Sequence, residues 1–278
     1  MTSDAFDLSA YFARIGYDGP RAPTLETLRA IQLRHAQTIP FENLNPLLGL
    51  PVKLDLDSLQ QKLVRSRRGG YCFEHNTLFG EALKALGFRV TGLAGRVVWN
   101  QPYGTTTPPR SHMVLRVELE DGPYLADVGF GMSPTGPLRL QSDIEQRTPH
   151  EPFRLLRDGE QFTLQCKLLD KWASFYRFEL HPQEPIDYEV ANHYVSTWPT
   201  SHFVNSLIAA RAIPEGRYGL RDNRLSIHRM GGASEQRVLA STAEVNATLR
   251  ELFGIVVPDE AAFAAKLARL NWPDFTAS

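Results

Sequence analysis

Arg68-Gly69-Gly70-Tyr71-Cys72-Phe73-Glu74 is the stretch on which the reading of the fold turns. Before it, apolar residues recur at helical spacing; from Phe88 onward they follow a strand-like period. Two glycines ahead of the cysteine permit a tight turn with unusual backbone angles. A helix is expected from Cys72 to about residue 86, closed by Gly87 as its C′ glycine. Cys72, Asn76, Phe79 and Leu83 then share its inner face. A cysteine in a first turn meets unpaired N–H groups and the positive end of the helix dipole, both of which stabilise a thiolate. By residue type alone a cysteine is more often core than nucleophile. The Gly-Gly turn and the helix start raise the weight of the nucleophile reading.

Working outward, the first 90 residues read as helical. Leu8, Tyr11, Phe12 and Ile15 lie on one face, and Gly16 stops the pattern. Thr24 can cap a second helix carrying Leu25, Leu28 and Ile31. Asp57 with Gln60 resembles a capping box before Leu59 and Leu63. Beyond the cysteine helix, strands are expected over 89–99, 112–119 and 124–128, with Asp121-Gly122 as the turn between the last two. Further strands are expected over 153–156, 162–168 and 172–180. Such a run of short strands suits a small barrel or sandwich. Residues 100–110 form a Gly/Thr/Pro loop just before His112. The last third is mixed: a helix over 201–211, a hairpin over 217–229 around Asp222-Asn223, a helix from a Ser241/Glu244 capping box to Phe253, and a final helix over 258–270.

Composition narrows the function classes. Of 278 residues, 30 are basic and 31 acidic, for a net charge of -1. That balance gives no electrostatic case for nucleic acid or an anionic membrane. No apolar run approaches the ~20 residues that cross a bilayer, and the acidic, amphipathic N-terminus is no signal peptide. The two cysteines, Cys72 and Cys166, form no disulfide framework. The expected location is the cytoplasm. Cys166 alternates with apolar residues in a strand and reads as core. Metal-ligand spacings and phosphate-loop or dinucleotide fingerprints are lacking, so no metal is expected.

A thiolate needs a base. Among His35, His75, His112, His150, His181, His193, His202 and His228, two stand out. His75 is near Cys72 in sequence, but i,i+3 neighbours on a helix rarely converge on one cleft. His112 opens a strand after a loop, a place where a rigid frame can hold a catalytic group. Asp127 lies in the apolar run 124–128, where a carboxylate is costly to bury without a partner. It can orient His112, or it can pair with Arg116 across the hairpin. A two-residue Asp121-Gly122 turn puts Arg116 opposite Asp127 and leaves His112 four residues away, ~13 Å. A His112–Asp127 pair therefore requires a bulge, strong twist or a different turn. On spacing alone the two pairings stand level.

Pro40-Phe41-Glu42-Asn43-Leu44, the 68–74 segment, Ser111-His112 and Asp127-Val128-Gly129-Phe130-Gly131 occur in that order. Together they resemble the arylamine N-acetyltransferase family, over nearly the whole chain and least beyond about residue 205. The resemblance implies an α+β fold with a cysteine-protease-like catalytic core. Residues 1–90 would form a helical bundle carrying the nucleophile, 91–205 a β-barrel carrying His and Asp, and 206–278 an α/β lid. It implies a Cys72–His112–Asp127 triad, acetyl-CoA as acyl donor, and a small aromatic amine or hydrazine as acceptor. Transfer would be ping-pong through an acetyl-cysteine to arylamines, arylhydrazines or N-hydroxyarylamines. Glu42 and Arg68 would form a structural ion pair. Phe41, Val98, Phe130 and Phe203 would line the acceptor pocket, and Gly129, Phe130 and Gly131 would lie beside the coenzyme. Two departures from the family pattern stand out: His75 replaces a residue that is commonly apolar or an amide, and Pro108 and Pro109 fall where some members place a threonine and a glycine.

On physics alone, a hydrolytic cysteine enzyme, either a protease or a transglutaminase-like amidase, fits the same helix-start cysteine with His and Asp on strands. A non-enzymatic binding module would not need all three residues intact.

Overall fold

The computed structural model describes residues 5–99, 107–270, 272–273 and 275. Of the loop expected at 100–110, residues 100–106 lie outside the described residues. The chain opens with α1 (Leu8–Ile15), α2 (Leu25–Thr38), β1 (Phe41–Glu42), α3 (Leu44–Leu47), α4 (Leu56–Leu59, continued by a π turn, Gln60–Arg65) and α5 (Cys72–Ala85). Gly16, at φ 64 and with its N–H donated to Phe12 O, ends α1, and Thr24 caps α2, both as expected. The cap of α4 differs from expectation. Asp55, not Asp57, accepts from Ser58 N at 2.9 Å, while Asp57 sits inside the first turn. The unpaired N–H groups lie nearer the start than the Asp57/Gln60 pattern suggested.

Seven strands follow: β2 (Arg89–Val97), β3 (Arg110–Leu119), β4 (Gly122–Ala126), β5 (Leu138–Arg139), β6 (Phe153–Asp158), β7 (Gln161–Leu168) and β8 (Lys171–Phe178). They form one sheet in the order β5-β4-β3-β2-β8-β7-β6. Bridges Ser142↔Leu155 and Gln146↔Phe153 join the segment after β5 to β6 and nearly close a barrel. Alternation divides the strands between two cores. Leu93, Val114 and Leu125 point inside with Phe153, Phe175 and Tyr176. Met113, Leu115 and Val117 point outward against the helical part, where Phe73, Phe79 and Leu83 of α5 lie.

The turn between β3 and β4 corrects the expected register. Leu119 pairs with Gly122 and Leu115 with Ala126, so the two turn residues are Glu120 and Asp121. The turn falls one residue early because Gly122 takes φ 124 and closes it. Arg116 consequently faces Leu125, and its ion pair is with Glu118 at 2.5 Å, not with Asp127. Continued by one residue, the register sets Asp127 opposite Val114, two residues from His112 on the same face.

The remaining elements are α6 (Pro185–Thr197), α7 (His202–Asn205), β9 (Ile208–Ile213), β10 (Gly216–Arg221), β11 (Arg224–Arg229), β12 (Glu235–Val238), α8 (Thr242–Thr248, continued by a π turn to Phe253) and α9 (Glu260–Arg269). The helix expected over 201–211 is a single turn, and the chain then becomes β9. Local helix preference in the Ala-rich 207–212 stretch yields to pairing on both sides, with β1 and β10. The hairpin around Asp222-Asn223 forms as expected, with Arg221 opposite Arg224. Ser241 caps α8 by accepting from Glu244 N at 3.2 Å.

β1 ties the parts together. It is the edge of the second sheet, β1-β9-β10-β11-β12, and it also bridges the Gly-Gly turn, where Glu42 N donates to Gly70 O at 2.7 Å. Gly69 is needed for closeness rather than for unusual angles. A Cβ there would lie 1.9 Å from Pro40 O, and the left-handed residue of the turn is Arg67, at φ 54. Arg68 Nη2 meets Glu42 Oε1 at 2.6 Å, and Glu42 Oε2 accepts from Leu44 N. Glu42 is fully buried, so removing its bonded cation leaves a buried charge offset only by the more distant Lys62. Arg68→Met should lower the unfolding free energy by about 3 kcal/mol in denaturant titration. Adding Glu42→Gln should recover part of that loss; no recovery would mean that Arg68 acts through packing alone.

Candidate active site

Cys72 is the first residue of α5, and Tyr71 before it is extended. Tyr71 N donates to Glu74 Oε2 at 3.1 Å, and Lys62 Nζ holds the other oxygen of Glu74 at 2.6 Å, so the start of the helix is clamped by a buried ion pair. The Tyr71 hydroxyl donates to Asn192 Oδ1 of α6. With the backbone so fixed, Cys72 Sγ faces Ser111 O at 3.6 Å, next to the residue that carries the imidazole.

His112 and Asp127 are joined, Nε2 to Oδ2, at 2.9 Å. The corrected register makes this diagonal contact possible. Asp127 is completely buried and accepts four hydrogen bonds. Oδ1 takes them from Asn76 Nδ2 at 3.0 Å and Gly129 N at 2.8 Å; Oδ2 takes them from His112 Nε2 and from the Tyr176 hydroxyl at 2.9 Å. Burial works against ionising this carboxyl, yet His112, Asn76 and Gly129 hold its pKa below the ordinary value. Burial likewise pulls His112 down. The Asp127 charge and hydrogen bond, with the Cys72 sulfur, outweigh it and lift His112 to about 10. Because Nε2 is committed to Asp127, Nδ1 is the nitrogen left for the thiol.

Gly129 lets the 127–131 segment lie against the helix start, since a Cβ there would stand 2.6 Å from Cys72 Cα. Phe130 packs edge-on to His112 at 5.3 Å and stacks on Phe175 at 5.1 Å. Val98 N donates to Phe175 O behind it. Phe41 and Phe203 form a second aromatic group, 6.3 Å apart, with Tyr71 5.1 Å from Phe203. A Cβ at Gly131 would stand 3.8 Å from the Phe41 ring. Cys72, His112 and Asp127 thus come together with Gly129 and Phe130 against them, while Phe41 and Phe203 meet each other beside Tyr71 and Val98 is tied to Phe175.

His75 points away from the site. Its Nε2 faces Pro40 O at 3.1 Å, its Nδ1 faces His35 Nε2 at 2.9 Å, and His35 Nδ1 faces the Tyr11 hydroxyl at 2.8 Å. Since Pro40 O can only accept, Nε2 of His75 donates, and each upstream group must donate in turn. Burial holds His75 at about 4 and His35 well below the ordinary value, so both rings are neutral. The Tyr176 contact with Asp127 leaves no local signature in the sequence: Tyr176 comes from β8, 49 residues away, and a tyrosine in a strand carries no mark of such a contact. Asn76 did leave a signal, as a polar residue one turn after Cys72 on the apolar face. A hollow of about 330 Å³ lies elsewhere, between α2 and residues 135–149. No group of three or more potential metal ligands occurs among the described residues, and no described helix is long and apolar enough to cross a membrane.

Residues 24–262 match the family model described as N-acetyltransferase. An arylamine N-acetyltransferase of Mycolicibacterium smegmatis is 46% identical over 92% of this chain and 94% of its own length. One from Escherichia coli is 45% identical over 91% and 90%. The structure of the Mycobacterium marinum arylamine N-acetyltransferase superposes with a TM-score of 0.93, at 44% identity, covering 96% of this chain and all of that one. A structure of that enzyme in complex with CoA gives 0.92. The chain belongs to the arylamine N-acetyltransferase family. It is an acyltransferase with the α+β fold of that family, not a member of the hydrolytic alternatives.

Asp127→Asn tests the electrostatics. A histidine raised in the folded state stabilises fully below its unfolded pKa of ~6.5 and loses that contribution as pH rises through about 10. The stability gap between wild type and Asp127→Asn should therefore be widest below pH 6.5 and narrow toward pH 10. By NMR the His112 ring should stay protonated at pH 8 in the wild type and be neutral there in the variant. A wild-type ring already neutral at pH 8 would contradict the assignment.

Proposed function

We propose that this enzyme moves an acetyl group from acetyl-CoA to the nitrogen of an arylamine, arylhydrazine or N-hydroxyarylamine, by way of an acetyl thioester on Cys72. The observation that carries this reading is the His112–Asp127 pair, with all four acceptor positions of Asp127 occupied, set beside a cysteine at a helix start.

In the first half-reaction, Cys72 Sγ, its proton passed to His112, attacks the thioester carbonyl carbon. A backbone N–H of Cys72 or Phe73 holds the developing oxyanion. The bond to the coenzyme sulfur breaks, and the proton on His112 goes to the departing thiolate. In the second, the acceptor nitrogen attacks the acetyl carbon, His112 takes the nitrogen's proton, and Cys72 leaves as thiolate. Asp127 keeps the ring oriented and stabilises its cationic form. Phe41, Val98, Phe130 and Phe203 form an apolar wall for a flat acceptor, and Gly129 to Gly131 lie beside the coenzyme. The lid would be the C-terminal unit from about residue 206. The reduced thiols fit a cytoplasmic enzyme.

Incubated with acetyl-CoA and no acceptor, the protein should gain one acetyl group, mapped by mass spectrometry to Cys72. Addition of an aromatic amine should discharge it. Cys72→Ala should abolish transfer, and Cys166→Ala should leave it intact, because Cys166 is buried in the barrel core. An active protein without the adduct would refute the reading.

A further inference from the structure

His75 is completely buried in the first turns of α5, close behind Cys72, and the transfer chemistry makes no use of it. Its Nε2 donates to Pro40 O at 3.1 Å. Pro40 stands immediately before Phe41, whose ring belongs to the wall proposed for the acceptor. One side chain therefore ties the helix that begins at Cys72 to the backbone that carries this wall. Pro40 O also accepts from Gly70 N, but at 3.4 Å, beyond the usual range for an N–H donor. The His75 bond is the shorter of the two. The imidazole backs the Phe41 ring as well: the two planes lie 11° apart, with centroids at 6.4 Å.

The donor nitrogen of His75 is set from behind. The Tyr11 hydroxyl donates to His35 Nδ1 at 2.8 Å, and His35 Nε2 donates to His75 Nδ1 at 2.9 Å. With a hydrogen supplied to Nδ1 from outside, the neutral His75 ring carries its own proton on Nε2, facing the proline carbonyl. In the reverse order a lone pair would face Pro40 O, and two acceptors would meet in a dry interior.

Placement of this kind matters most in the second half-reaction. There the acetyl carbon sits on Cys72 Sγ at the start of α5, and the attacking nitrogen belongs to a flat ring laid on Phe41. Any shift of β1 against α5 changes the distance between them, and errors of about 1 Å are costly in such an attack. The first half-reaction draws on Cys72, His112 and a backbone N–H at the helix start. We infer that His75 is a positioning residue for the acceptor: through Pro40 it holds Phe41 in register with Cys72, and His35 and Tyr11 fix the ring nitrogen that does so. The assignment rests on the acetyl-cysteine reading and adds to it a determinant of acceptor recognition.

The test separates the two half-reactions in the intact protein. Acetylation of Cys72 by acetyl-CoA alone is followed by mass spectrometry, and discharge of the acetyl-enzyme is followed with aniline. In His75→Leu the KM for aniline should rise about fivefold, the scale of one lost hydrogen bond, while the acetylation rate keeps its wild-type value. His75→Gln should restore most of the KM, because its amide nitrogen can donate to Pro40 O while its oxygen accepts from His35. Tyr11→Phe should raise the KM by less, and it carries the same comparison should His75→Leu fail to fold. Equal slowing of both half-reactions, an unchanged KM, or a raised KM that His75→Gln does not restore would overturn the assignment. If the wild type forms no acetyl-enzyme, the acetyl-cysteine reading falls. Titration calorimetry of aniline into wild type and His75→Leu then decides the positioning role by itself: weaker binding in the variant supports it, and equal binding overturns it.

Discussion

A single ionised carboxylate holds this structure together at its most demanding point. Asp127 has no exposure to solvent, and a charge so placed is costly unless every lone pair is answered. Four donors answer it, from four separate pieces of chain: Asn76 of α5, His112 of β3, the Gly129 amide, and Tyr176 of β8. The clasp joins the helical part to the barrel and draws the far strand of the barrel into the same network. Because the donors that offset burial also orient the imidazole, the geometry of the site and the cohesion of the two parts are one set of contacts. Loss of any donor bears on both.

The segment at β1 performs the matching task for the other half. Its two residues pair with β9 on one edge and touch the Gly-Gly turn on the other. The chain just before Cys72 is thereby anchored to the C-terminal sheet. Phe41, carried on that segment, is placed against Phe203 and Gly131. The Phe41–Phe203 contact therefore joins residues far apart in the chain, and its geometry follows from how the parts meet.

Features with a local cause were legible in the residue order. Gly16 and Thr24 bound their helices where the pattern put them, and Cys72 stands at a helix start because Tyr71 is extended and Glu74 reaches back to it. Errors arose where the outcome depended on competition. Asp55 and Asp57 both suit a cap, and the one at the true start won. Residues 207–212 could coil locally, but two waiting strand edges decided otherwise. The β3–β4 turn slipped by one residue because Gly122 closes it instead of occupying its centre, and that single residue separates an unreachable His112–Asp127 pair from a direct hydrogen bond. Tyr176 was invisible for a different reason: its contact is set by barrel closure, which no local pattern encodes.

The polarity of the Tyr11–His35–His75–Pro40 chain has an evolutionary consequence. Protons can be arranged along it in one way only, each group donating toward the proline carbonyl. An apolar side chain at His75 strands the His35 N–H in a dry interior, and replacing His35 strands the Tyr11 hydroxyl and leaves the acceptor nitrogen of His75 unmet. Neither histidine can drift alone without cost. The two positions should change together across the lineage, as a coupled pair whose ancestry is read jointly rather than site by site.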